Sequence, residues 1–563
     1  MLKRGATFAE VRDGFRWNIP EFYNIGVDIC DRWAEREPHR TAIIDVDRGG
    51  VGHDYSFAAL RAMADRLAHA LARRGIGRRA GEVGDRVGVL LSQRVETAAA
   101  HIAVTKMGCI SIPLFTLFGA EALAHRLRDS AARAIITDAE GLAKLIPLRP
   151  QLPSLRVILS VDGASGPAED FATACAAEPA RYEALPTRAE DPAVLIYTSG
   201  TTGNPKGALH AHRVLLGHLP GVEISHDFLP HAGDRFWTPA DWAWIGGLLD
   251  VLMPSLHHGI TVVAHRFAKF TAEAAFDLIR DFAIRNAFLP PTALKMMKLH
   301  AGAAHAAIAM RSVASGGETL GAELIQWGEQ ALHVTINEFY GQTECNMIVS
   351  SCAALEPPLP GTMGRPVPGH VVEVIDAATG ERMPDETEGE IAVLAPDPVM
   401  FLGYWNNPQA TAEKFVTGEA GKWLLTGDRG VRDAAGRLRF LGRGDDVISS
   451  AGYRIGPAEI EDCLLGHPAV RLAAVVGKPD PLRGAVVAAY IVLKEGYAPS
   501  ETLASDIAQH VKSRLAAHEY PRMIRFLDDI PMTTTGKIMR RLLRARAMAE
   551  AAEDAKAAHH IAP

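Results

Sequence analysis

The sequence predicts an α/β fold for the long N-terminal part of the chain, with packed sheets and helices, followed by a smaller α+β domain. Three observations lead there. Amphipathic helices alternate with short apolar strands from Asn24 to about Phe118, the pattern of crossover units in a parallel sheet. The texture changes near Arg443, after which short helices and strands of a second kind of packing follow one another. The length, 563 residues with 48% apolar, is several times what one hydrophobic core organises. The domains are accordingly set at 1–443 and 444–563.

Taken in order, Phe57–Arg74 carries apolar residues at helical spacing, and Asp85–Leu91 reads as a buried strand. A helix over Val95–Lys106 leads into a second strand, Cys109–Leu114. Gly163–Thr187, rich in Ala, Glu and Pro, is expected to be a surface excursion before the buried strand Ala193–Tyr197. In the second domain Pro457–Leu465 is a short helix, with proline at its start and Gly466 just past its end, as backbone geometry favours. Leu472–Val476 and Val486–Leu493 are strands, Glu501–Leu515 a helix and Ile524–Leu527 a third strand. The terminal stretch Ile538–Ala558 is an Ala-rich helix whose arginines, Arg540, Arg541, Arg544 and Arg546, are expected to be solvated. No repeat at a fixed period is present, which excludes a solenoid.

With 59 basic against 66 acidic residues the net charge is −7, so nothing electrostatic recommends a nucleic acid as partner. The cysteines Cys30, Cys109, Cys175, Cys345, Cys352 and Cys463 are scattered without a CxxC pair, so neither a zinc knuckle nor a disulfide framework is expected. A reducing, cytoplasmic location follows as the expectation. No apolar run reaches the roughly 18 residues of a membrane span, and no signal-like core follows Met1-Leu2-Lys3-Arg4.

The segment richest in chemistry is Thr198-Ser199-Gly200-Thr201-Thr202-Gly203-Asn204-Pro205-Lys206-Gly207, directly after a buried strand. Its glycines let backbone N–H groups turn toward an anion, its hydroxyls add donors, and Lys206 adds a positive charge. That suits a triphosphate. It is not a Walker loop, since no GxxxxGK[ST] occurs and Gly536-Lys537 is followed by Ile538. An ordinary P-loop kinase or ATPase is therefore disfavoured.

Further segments fall into a known order: Tyr340-Gly341-Gln342-Thr343-Glu344, Thr426-Gly427-Asp428, Gly442-Arg443-Gly444-Asp445-Asp446, Gly452-Tyr453-Arg454-Ile455-Gly456-Pro457, and Pro531-Met532-Thr533-Thr534-Thr535-Gly536-Lys537. With the glycine-rich segment they resemble the signature motifs of the adenylate-forming family, and within it the AMP-forming acyl-CoA synthetases of medium-chain type. The resemblance runs from about Asn24 to Arg541.

The resemblance implies a two-step reaction on a small carboxylic acid: attack on the α-phosphate of ATP gives an acyl-adenylate, and coenzyme A then displaces AMP. It places Lys537 between the carboxylate and the α-phosphate, where negative charge builds. Asp428 is expected to accept hydrogen bonds from both ribose hydroxyls. Arg443 and Arg454 bracket ribose and phosphate with planar forks. Gly317-Glu318 and Phe339-Tyr340 supply the adenine walls, Thr343 touches the α-phosphate, and Glu344 holds Mg²⁺. For coenzyme A the resemblance suggests Gly452-Tyr453, Arg483, Tyr520 and Arg522; Ala451 stands where many relatives carry serine. The small domain is expected to be mobile and to turn between the two steps, with Asp445 at the hinge.

The acyl pocket is more individual. Acetate-type relatives carry a tryptophan where this chain has Gly341, and Gly246 and Gly316 occupy two further wall positions. The three absent side chains imply a deep apolar cavity, lined in part by Trp244 and Ile245, for a medium-chain, branched or aryl acid. Alternatives are an adenylating enzyme that passes the acyl group to a carrier protein or amine, and a nucleotide-binding paralogue without catalysis. The oligomeric state is left open.

Overall fold

A computed structural model describes residues 2–198, 205–299, 308–318, 320–443, 446, 448–450, 453–480, 483–515, 520–532 and 538–560. Its contacts divide the chain into two compact units: Met1–Val372 with Leu394–Phe415, and Glu373–Val393 with Val416–Pro563.

The first unit holds two large sheets. In one, the strands Thr41–Val46, Thr261–His265, Arg235–Trp237, Asn286–Phe288, Ser312–Gly316 and Ile336–Gln342 lie side by side and parallel, and the hairpin partner Cys345–Ser350 follows antiparallel. In the other, Pro192–Thr198, Ile110–Pro113, Arg86–Leu90, Ala134–Thr137 and Val157–Ser160 are neighbours in parallel, with Lys206–Ala211 antiparallel beyond Thr198.

Helices Phe57–Arg73 and Val95–Lys106 share one core with residues of both sheets, Val87, Val89 and Val194 from one and Ile43 and Val262 from the other. This sandwiched position explains the composition of Val95–Lys106, where every residue but Glu96 is buried: a helix covered all round needs no polar face. Its one cation, Lys106, is held by the carboxylates of Asp31 and Asp65. Phe57–Arg73 begins where the Ser56 hydroxyl accepts from the N–H of Ala59, an N-cap that fixes the first turn.

One expectation in this unit needs correcting. Within Gly163–Thr187, Glu169–Asp170 adds an edge strand and Phe171–Ala176 forms a helix capped by Asp170, with Phe171 and Cys175 buried. Two apolar side chains one turn apart sufficed to dock part of a stretch whose composition read as surface.

The second unit contains a sheet built on Gly389–Ala395, Gly421–Arg432 and Leu438–Arg443, and another ordered Tyr453–Ile455, Ile448–Ser450, Gly484–Leu493, Val470–Asp480, with Met523–Phe526 parallel to Gly484–Leu493. The sequence boundary at 443 falls inside this unit. Leu438–Arg443 is paired to Gly421–Arg432, and Gly456 comes so near Leu441 that a Cβ there would meet its carbonyl oxygen.

The helix Pro457–Leu465 and the strands around it agree with the sequence reading. The terminal helix, Arg540–His560, is not simply solvated. Leu543 and Ala547, one turn apart, are buried with Ala474 and Tyr490, while Arg540 pairs with Glu461 at 2.5 Å and Arg544 with Asp446 at 3.1 Å. Arginine stems flanking an apolar stripe dock such a helix as well as they solvate it.

Candidate active site

In the first unit the buried strand Pro192–Thr198 and the returning strand Lys206–Ala211 put Thr198 opposite Lys206. The two ends of the glycine-rich segment are thereby held side by side; Ser199, Gly200, Thr201, Thr202 and Gly203 lie outside the described residues. The Lys206 ammonium stands 5.2 Å from the ring centre of Tyr404, whose hydroxyl donates to the carboxylate of Glu344. Gly403–Tyr404 is itself paired to Leu209 and Ala208, and the Phe401 N–H donates to the Glu344 carbonyl at 2.9 Å. A cation, a phenol and a carboxylate thus converge where the glycine-rich segment ends.

Glu344 and Thr343 form the turn of a hairpin in which Gln342 pairs with Cys345. Glu344 is 7% exposed. Among the described residues no group of three or more His, Cys, Asp or Glu could hold a metal by itself. One carboxylate is nonetheless a fitting donor set for Mg²⁺, which ordinarily takes one or two carboxylates and completes its shell with phosphate oxygens and water.

Gly316 pairs with Phe339 on adjacent parallel strands, and Gly317 follows at φ +89° with open space where a Cβ would stand, a conformation that favours glycine. The Glu318 carboxylate accepts from Thr292 at 3.0 Å. The Phe339 ring is buried against Phe288, 5.2 Å between centres, in a core with Val251 and Phe236. Strand alternation turns the next residue, the half-buried Tyr340, to the other face.

On the acyl side Trp244 packs 5.4 Å from Phe115 and 5.8 Å from Phe118, beside Ile245. The three glycines, however, do not mark empty space. A Cβ at Gly246 would meet the Phe288 ring at 2.9 Å, one at Gly316 the Phe339 ring and carbonyl at 2.7 Å, and one at Gly341 Asn346 Oδ1 and Met347 N at 2.5 Å. Neighbouring rings and the facing hairpin strand fill what the absent side chains vacate. Gly341→Ala is consequently expected to destabilise the fold by about 1–3 kcal/mol, because the obstruction is partly backbone. A melting curve checks this; an unchanged melting temperature with a new chain-length preference would restore the cavity reading.

Behind these glycines lies a buried polar pair that the sequence reading missed. Asp250, in the π-helical turn Gly246–Leu252, accepts from Asn346 Nδ2 at 2.7 and 2.8 Å. Asn346 is followed by Met347 at φ +56°, a conformation costing a residue with a Cβ about 1–2 kcal/mol. A single acid inside the apolar run Gly-Gly-Leu-Leu-Asp-Val-Leu was the available signal.

In the second unit strand pairing sets Asp428 opposite Arg443, with Oδ1 3.5 Å from Nε. Asp428 is buried and the Arg443 side chain is 44% exposed. Gly427 turns at φ +80°, its N–H donating to Glu390 at 2.8 Å, and the Thr426 hydroxyl accepts from the Asp428 N–H at 3.1 Å. The carboxylate is therefore aimed by its own backbone.

The groups expected for coenzyme A gather at one end of the other sheet. Arg483 lies between Val470–Asp480 and Gly484–Leu493, its N–H donating to Asp480 at 2.9 Å, and Gly484 pairs with Ser450 next to the strand Tyr453–Ile455 that holds Arg454. The Arg522 N–H donates to the Val487 carbonyl, and its guanidinium lies 5.0 Å from the Tyr520 ring centre. Lys512, not foreseen, stands 5.3 Å from the same ring. Gly452, Asp445 and Lys537 lie outside the described residues.

The first unit sets a cation and a carboxylate at the end of the glycine-rich segment, and the second a buried carboxylate opposite an arginine, the residue types of an adenylate-forming enzyme. The chain belongs to the AMP-binding enzyme family: the model of that family matches residues 30–405, and that of the AMP-binding enzyme C-terminal domain matches 459–537. It is 32% identical over 536 residues to the acetyl-coenzyme A synthetase of Bacillus subtilis, covering 93% of this chain and 90% of that protein. It is 32% identical over 540 residues to the human mitochondrial acyl-coenzyme A synthetase ACSM4, covering 93% and 91%. The solved structure of the anthranilate CoA ligase AuaEII with anthranoyl-AMP superposes with a TM-score of 0.83 at 29% identity, covering 95% of this chain and 99% of that one. Among the described residues no helix is long and apolar enough to cross a membrane.

Proposed function

We infer that this chain is an AMP-forming acid–CoA ligase. A carboxylate oxygen of the substrate attacks the α-phosphorus of ATP; the new O–P bond forms as the bond to pyrophosphate breaks. The sulfur of coenzyme A then attacks the acyl carbon, and the C–O bond to AMP breaks. The observation that carries this reading is the convergence of Lys206, Tyr404 and Glu344 at the end of the glycine-rich segment, in a chain matched over nearly its whole length by acyl-coenzyme A synthetases.

The residues divide the labour as follows. The loop Thr198–Gly203 with Lys206 cradles the phosphates, and Thr343 donates to the α-phosphate. Asp428 receives the ribose hydroxyls while Arg443 and Arg454 hold ribose and phosphate. Lys537 neutralises charge at the reacting α-phosphate. Glu344 holds Mg²⁺, which when bound adds countercharge for the phosphates. Gly452-Tyr453, Arg483, Tyr520 and Arg522 receive coenzyme A, and Asp445 is the hinge whose torsions differ between the two steps. The substrate is a medium-chain, branched or aryl acid, because Trp244, Phe115 and Phe118 offer an aromatic wall. Six free cysteines, five of them buried, suit a reducing cytoplasm.

The test is pyrophosphate release and thioester formation over a panel of carboxylic acids with coenzyme A. Both products are expected from the same acids. Pyrophosphate without a thioester would move the acceptor to an amine or carrier protein, and neither product would overturn the reading.

A further inference from the structure

Neither step of the reaction needs Asp250 or Asn346, yet both are buried beside the expected acyl walls. Asp250 is 2% exposed. Its carboxyl accepts from Asn346, and no lysine or arginine among the described residues pairs with it. His218 Nε2 stands 3.8 Å from Oδ1, which is not an ion pair. The other ring nitrogen, Nδ1, donates to the Val214 carbonyl at 2.7 Å, and burial pushes the imidazole down to about 4, so the ring is neutral. Burial likewise raises the Asp250 carboxyl well above the ordinary carboxylate range; without a countercharge the neutral acid is the form that belongs there.

A neutral Asp250 has an O–H to donate, and His218 is beyond hydrogen-bond reach. Its Oδ2 lies 3.6 Å from where a Gly246 Cβ would stand, while Asn346 turns Oδ1 toward the corresponding position of Gly341, 2.5 Å away. A donor and an acceptor are thus presented behind the two half-buried glycines. Among the described residues no cation is paired there to hold a second carboxylate.

We propose that Asp250 and Asn346 are specificity-determining residues of the acyl site, and that the preferred acid carries an uncharged hydroxyl or amino group where it passes Gly246 and Gly341. This rests on the acid-activating reading above. A hydrocarbon acid would offer nothing to the remaining O–H of Asp250 or to Asn346 Oδ1, and sites built to hydrogen-bond a substrate discriminate strongly against analogues lacking the group.

The experiment measures acid-dependent ATP–pyrophosphate exchange by the full-length protein on matched pairs: benzoate against its hydroxy and amino derivatives, and hexanoate against its terminal hydroxy derivative. In the unaltered protein the best hydroxyl or amino acid is expected to exceed its parent by roughly 100-fold in kcat/KM. Asp250→Leu should abolish that preference, and Asp250→Asn, which keeps shape and a donor, should retain part of it. Parents matching or exceeding every derivative in the unaltered protein would overturn the proposal whether or not the variants fold. So would an unchanged preference in a folded Asp250→Leu protein. Exchange with no acid at all would instead sink the ligase reading, a distinguishable result.

Discussion

Lys537→Ala is expected to lose adenylate formation by roughly 100- to 1,000-fold while thioester formation from a supplied acyl-adenylate is largely spared. The reason is electrostatic. Charge builds on the α-phosphate oxygens only in the first transition state, and one lost cation at such a point costs about 3–4 kcal/mol. The second step breaks a bond to AMP at the acyl carbon, where this lysine has no required part. Measuring the half-reactions separately checks the division; equal losses in both would assign Lys537 a structural role.

Asp428→Asn is expected to be the next most damaging change. The carboxylate is buried and aimed by Thr426 and Gly427, with Arg443 opposite, so an amide there keeps the shape but loses one acceptor and the charge. Hydrogen bonds to a charged group contribute about 1.5–3 kcal/mol, which translates to a loss of roughly 10- to 100-fold in kcat/KM for ATP. Discrimination between ATP and 2′-deoxy-ATP should shrink in the variant. If the two nucleotides are still separated as in the unaltered protein, Asp428 is not the ribose receptor.

How legible the molecule was in its sequence depended on whether the determining contacts were local. Val95–Lys106 and Pro457–Leu465 could be bounded from their own residues, because capping, proline placement and flanking strands are near-neighbour effects. The terminal helix was misjudged because Leu543 and Ala547 reveal their partner only once Val470–Asp480 and Gly484–Leu493 are folded beneath them. The motif residues were placed by their order along the chain, and strand pairing then explained why Asp428 and Arg443 meet. Tyr404 and Glu344, 60 residues apart, and Asp250 and Asn346, 96 apart, could not be joined by any local pattern. The glycines show the same limit from the other side: an absent side chain says that something comes close, and only the fold says whether it is a ligand or Phe288.

The central claim, that the carboxylate itself attacks the α-phosphorus, is tested most directly with substrate acid labelled by oxygen-18 in its carboxylate. One full turnover with ATP and coenzyme A should deliver one heavy oxygen into AMP, because the bond made in the first step is the carboxylate oxygen to phosphorus bond and the second step leaves that oxygen on AMP. Label appearing in inorganic phosphate with ADP as the product would contradict the account, since the acid would then have attacked the terminal phosphate instead.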